Sequence, residues 1–184
     1  GSEMCIRDRN NMAKGNIKIY QILLSGFPII LLFFFALTGY TLSFKLFTIN
    51  VSFNLIHLIV FYWVLRKPEM LGYGLIFFAG VINDVVQNLP IGISSINYLL
   101  LSVIASFFRT RTLLPNLIYD WILFLIAILI VSSIHFTILS LAFDGFVTYG
   151  ALMSTSFFSF LIYPIIAKTF NQIYLLGLKQ DNVE

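Results

Sequence analysis

The sequence predicts an all-α polytopic membrane protein, a bundle of six transmembrane helices, and three observations carry that prediction. Of its 184 residues 59% are hydrophobic and 10% charged, where an ordinary soluble domain has roughly 25% charged. Apolar runs of membrane-crossing length, roughly 17–25 residues, can be placed six times. The cations gather on one side of that layout. A soluble domain with a mean hydropathy of +0.94 would have to hide more apolar surface than its core can hold.

The spans follow in order. The first covers about residues 19–42 and contains Pro28 and Gly39. The second covers about 47–65 and stops at Arg66-Lys67-Pro68. The third and fourth, about 71–89 and 91–108, form a tight pair turned by Pro90 and Gly92. The fifth is about 117–143, and the sixth about 147–167. Beyond it Phe170, Ile173, Tyr174 and Leu176 stand among polar residues, a pattern expected of a helix lying at the inner interface. Helices close their own backbone hydrogen bonds in lipid, and no alternating pattern of barrel strands is expected. Residues 1–11, polar and unlike the rest, read as a non-native or disordered extension, with Met12 the expected native start and 12–184 a single membrane domain.

Charge fixes the orientation. Ten of the eleven lysines and arginines precede span one or follow spans two, four and six, and Lys45 alone falls on the other side. The positive-inside rule therefore puts both termini in the cytoplasm. A formal charge of +3 spread this way makes no phosphate-binding patch, so nucleic acid is not an expected partner. The single cysteine, Cys5, excludes an internal disulfide and zinc-type CxxC spacing. No Gly-rich phosphate loop, Ser-His-Asp set, HExxH or acidic pair is seen, so no catalytic residue, metal or cofactor is expected. The loops leave no room for a soluble catalytic domain.

Asp84 stands out, a carboxylate inside an apolar segment. A rise of about 1.5 Å per residue from Met70 carries it roughly 21 Å across a core of about 30 Å. Gly80 lies one turn before it, and Gln87 and Asn88 one turn after, on one helix face. This face, Gly80, Asn83, Asp84 and Gln87 followed by the Pro90 and Gly92 turn, is the candidate site. Three roles are open to it: structure within the bundle, docking of a partner helix in the glycine notch, or ion and proton transport. Asn50, Asn54 and His57 form a second expected stripe, on span two. Interhelical hydrogen bonding is its preferred reading, with a metal site of His57, His135 and Asp84 the alternative. Small residues repeat at four-residue spacing, as in Ser133 with Thr137 and Thr155 with Ser159, which suits close helix packing. Asp120, beside Tyr119 and Trp121, is expected to pair with Arg109 or Arg111.

The run Gly80-Val81-Ile82-Asn83-Asp84, the turn Leu89-Pro90-Ile91-Gly92 and the aliphatic helix with Asn97 resemble the bacterial rod shape-determining protein MreD family. Size, cytoplasmic termini and the basic Arg66-Lys67-Pro68 break fit that family from Met12 onward, although its tail is usually more charged. The resemblance implies a non-catalytic inner-membrane scaffold of the cell-elongation complex. Its implied partner is an MreC-like bitopic coiled-coil protein, and through it MreB filaments, RodA and a class B penicillin-binding protein. It also implies a fold similar to the substrate-binding subunit of energy-coupling-factor transporters. That kinship supplies the alternative function, a vitamin-type binding subunit of an uptake system.

Overall fold

The computed structural model describes residues 26–39, 41–46, 49–111, 116–142 and 149–181. The extension 1–11, the first part of span one, and loop residues 112–115 and 143–148 fall outside this set. The described chain is helical, with one antiparallel hairpin. Helix α1 is Gly26–Thr38. Strands β1, Thr41–Leu46, and β2, Ile49–Asn54, follow it and pair from Thr41 with Asn54 to Leu46 with Ile49. Then come α2 (Leu55–Arg66), α3 (Tyr73–Val86), α4 (Ile93–Arg111), α5 (Leu117–Ala142) and α6 (Tyr149–Asp181).

Three helical stretches are long and apolar enough to cross a membrane: Ile93–Arg111, Leu117–Leu141 and Leu152–Ile173. The helices α1, α2 and α3 are apolar but shorter. Polar groups sit within the buried apolar core, and large apolar side chains lie on the outside. Asp84, Ser95, Ser102 and Ser159 are fully buried, whereas Ile118, Ile122 and Leu129 on α5 and Ile165 on α6 are exposed. A continuous exposed apolar surface around buried polar groups is what a lipid solvent selects.

Helix α2 is the central pillar. Every residue from Leu58 to Leu65 is buried, so α2 is apolar all round and enclosed by its neighbours. It packs against α4 and α6. Phe61 meets Phe124 of α5 at 5.1 Å and Tyr163 of α6 at 5.9 Å, while Phe124 and Tyr163 stack at 4.6 Å. Aromatic pairs at these separations add to simple area burial.

Three expectations are corrected. Span two does not begin as a helix at residue 47: 49–54 is strand, and α2 starts only when the Asn54 side chain caps it, accepting the Ile56 N–H at 3.1 Å. The stripe of Asn50, Asn54 and His57 is therefore not one helix face, because Asn50 and Asn54 belong to β2. Span six does not break near residue 167. Helix α6 continues for 33 residues, about 50 Å, through Pro164.

Pro164 has an answer elsewhere in the bundle. Proline has no N–H, so the carbonyl four residues earlier loses its helical donor. That carbonyl is Phe160 O, and the Trp121 indole N–H of α5 donates to it at 2.8 Å. The two rings stack, 4.8 Å apart and 11° from parallel. One side chain repairs the gap and joins the two helices.

Candidate functional site

The α3–α4 corner brings the candidate residues together. Both oxygens of Asp84 point at the start of α4: Gly92 N–H donates to Oδ2 at 2.7 Å and Ser94 N–H to Oδ1 at 2.9 Å. The first amides of a helix have no intrahelical acceptor, and the helix dipole is positive there. Asp84 is thus a cap supplied to α4 from α3. Its own carbonyl accepts the Leu89 N–H at 2.9 Å, which ties down the connecting turn. Two positive φ angles make that turn, 54° at Asn88 and 107° at Gly92. Asparagine tolerates the left-handed region and glycine accepts it without strain.

Gly80 is the packing partner of this cap. A Cβ there would land on the backbone of Ser95, 2.6 Å from its N and 2.7 Å from its Oγ. The notch is filled by α4 of the same chain, and Ser95 Oγ donates to Phe77 O at 3.1 Å in the same seam. Asn83 Nδ2 donates to Ser94 Oγ at 3.0 Å, and Gln87 Nε2 to Asn83 Oδ1 at 3.0 Å. Gly80, Asn83 and Asp84 are buried, while Pro90 is exposed at the turn. Of the roles open to this face, structure within the bundle matches the contacts of Gly80 and Asp84.

Behind the corner lies a cavity of about 170 Å³ between α2, α3, α4, α5 and α6. Its polar lining includes His57, Asn83, Asn97, Tyr98, His135 and Ser156. Asn97 Nδ2 and His135 Nδ1 are 3.0 Å apart, and Ser132 Oγ lies 2.7 Å from Ser156 Oγ. The His57 and Tyr98 rings meet edge to face at 5.4 Å. His57 Nδ1 is buried with no hydrogen-bond partner among the described residues, an uncommon state for an interior polar atom, and the buried Tyr98 hydroxyl faces Asn54 and Ser94. Asn54 and His57 of the span-two stripe do line this cavity, one from a strand end and the other from a helix. Among the described residues no group of three or more His, Cys, Asp or Glu is placed to hold a metal ion. His135 is turned to Asn97 and Asp84 to backbone amides.

At the inner end of the bundle Asp120 pairs with Arg66, at 2.5 Å, and not with Arg109 or Arg111. The last turn of α2 brings Arg66 beside the first turn of α5. Arg109 and Arg111 are exposed, and Arg111 lies over the Phe107 ring at 5.1 Å. Of the small-residue pairs, Ser159 is buried and accepts the Asn54 N–H at 3.1 Å. Ser133 and Thr137 are exposed and bond their own helix at Leu129 O and Ser133 O, so they pack no neighbour.

Tyr98 and Ser94 escaped the sequence reading. Both lie in a stretch of α4 that hydropathy ranks as an apolar span, where Ser94-Ser95-Ile96-Asn97-Tyr98 is nevertheless mostly polar. That cluster was the available signal. Comparison with known protein families, with curated proteins and with solved structures finds no match to this chain.

Proposed function

We propose that the chain is a non-catalytic, multi-pass scaffold of the bacterial cell-elongation complex, held in the inner membrane with both termini in the cytoplasm. The reading rests on the resemblance to MreD proteins. One observation carries it: Gly80, Asp84 and Gly92, three of the residues that bear the resemblance, meet in one corner where each has a distinct physical task. This supports reading the motif as a way of joining two helices rather than as an accident of apolar composition. The Asp84 face is consumed inside the fold, so an MreC-like partner docks on other surfaces. Such a scaffold acts by raising the local concentration of filament, coiled-coil protein and wall synthases. Depleting the protein in a rod-shaped host should give round, widening cells with normal growth on limiting vitamins.

A second reading is favoured by a different observation. The polar cavity is the feature a small-molecule binding subunit needs. Rod-shaped cells with a new vitamin requirement after depletion would overturn the scaffold reading in favour of uptake.

A further inference from the structure

The cavity beneath the α3–α4 corner has a definite chemical character. Among the described residues its lining holds amides, hydroxyls and two imidazoles, and no Asp, Glu, Lys or Arg. The nearest carboxylate, Asp84, is fully buried and has both oxygens occupied by backbone amides. A net charge placed in the cavity would meet no charged side chain among the described lining residues, and unpaired burial of an ion is costly. The Asp84 carboxylate, which acts on His135 and Tyr98 of the lining, adds to that cost for an anion. Neutral polar groups would meet His57 Nδ1, which lacks a partner among the described residues, beside the Tyr98 hydroxyl that faces Asn54 and Ser94. Around them the Asn97–His135 and Ser132–Ser156 contacts fix neighbouring side chains in place. A site whose groups are held before binding loses less order when it binds.

Size narrows the class further. An apolar cavity of about 150 Å³ accepts one benzene ring, and this one measures about 170 Å³. The edge-to-face His57–Tyr98 pair gives it an aromatic wall. An imidazole and a hydroxyl can each donate or accept, and the adjacent His57 and Tyr98 side chains together suit an amide or imide edge. We infer that this cavity binds an uncharged, planar, single-ring molecule bearing an amide-type hydrogen-bonding edge, between α2, α4, α5 and α6. The inference deepens the small-molecule reading and rests on it, but it does not require transport. A scaffold that senses such a molecule would carry the same site.

The test uses the full chain in lipid nanodiscs and equilibrium dialysis against two near-isosteric probes, nicotinamide and nicotinate, which differ in carrying an amide or a charged carboxylate. Nicotinamide should bind saturably at one site with a Kd of about 1 mM or tighter. Nicotinate should bind at least about tenfold more weakly, because of its unpaired charge. Tyr98→Phe, which removes only the hydroxyl, should weaken nicotinamide about fivefold. Ser156→Leu should abolish binding by filling the space. Ser133→Ala, on the exposed side of α5, should bind as the parent chain does, and all three variants are checked for an unchanged elution profile. If Tyr98→Phe alone misfolds, Ser156→Leu against Ser133→Ala carries the test. Absence of saturable nicotinamide binding up to about 10 mM overturns the inference and leaves a water-filled cavity. Equal binding of nicotinate, or full binding by Ser156→Leu, overturns it as well. None of these outcomes bears on cell shape, so failure here and failure of the scaffold reading are separable.

Discussion

At the scale of single residues, Asp84 and Gly80 show how a polar group survives among apolar neighbours. The carboxylate is buried because it closes two backbone bonds that α4 cannot close itself. Hydrogen bonds to charged groups contribute about 1.5–3 kcal/mol each. Asp84→Ala should therefore destabilise the isolated protein by about 3 kcal/mol, read as a lower midpoint in thermal unfolding in detergent. Asp84→Asn should lose nearly as much, because its amide nitrogen would face a second N–H donor. Unfolding midpoints equal to the parent's for both variants would remove the capping argument. Gly80→Ala should cost about 1–3 kcal/mol, since Ser95 backbone and not a flexible side chain must give way. Gly74→Ala is the matched control on the same helix: a Cβ there meets nothing within 4 Å, so stability should hold or rise slightly. At the other end, Asp120→Asn should cost about 2 kcal/mol by leaving Arg66 half-buried without its anion.

At the scale of elements, α6 shows a local rule broken and repaired. Pro164 strips Phe160 O of its helical donor, and the Trp121 indole supplies one. A double-mutant cycle on unfolding free energy checks this. Trp121→Phe should cost about 1 kcal/mol in the parent chain and clearly less in a Pro164→Ala background, where the helix satisfies the carbonyl itself. Equal costs in both backgrounds would mean that the indole contributes only through ring stacking. The same scale shows what the sequence could reveal. Spans four and five were legible from hydropathy because each is one uninterrupted helix of membrane-crossing length. The Gly80, Asp84 and Gly92 corner was legible as a group, because a carboxylate and two glycines at a turn are conspicuous in apolar surroundings. What escaped was the direction of its contacts, since a notch filled by the next helix and a notch awaiting a partner read identically. The hairpin escaped for another reason. Thr41-Leu42-Ser43-Phe44-Lys45-Leu46 and Ile49-Asn50-Val51-Ser52-Phe53-Asn54 both alternate polar and apolar residues, the period of a strand. Summed hydropathy across residues 47–65 averages that alternation away. The Arg66–Asp120 pair depends on which helix ends meet, and sequence proximity favoured Arg109 and Arg111 wrongly.

At the scale of the whole molecule, the question is how short helices and a hairpin fit a bilayer. Helix α2 rises about 18 Å and α3 about 21 Å, each less than a hydrocarbon core of about 30 Å. Strand β2 runs straight into α2 and adds about 20 Å, so the two together can complete one crossing. A strand is tolerated at that depth only where protein covers its polar backbone. Here β2 is paired with β1 and packs against α6, where Ser159 Oγ accepts the Asn54 N–H. We propose that the second crossing is built in this way, from strand and helix in series. The charge distribution then still places the α4–α5 connection inside and Lys45 outside. Single cysteines at Lys45 and Arg111, introduced by Lys45→Cys and Arg111→Cys on a Cys5→Ser background, test the arrangement. In intact cells a membrane-impermeant maleimide should label the first and spare the second until the membrane is permeabilised. Labelling of Arg111→Cys from outside would reverse the orientation. Protection of both positions would instead put the hairpin end on the cytoplasmic side or within the bilayer, and the strand-plus-helix crossing would fail with it.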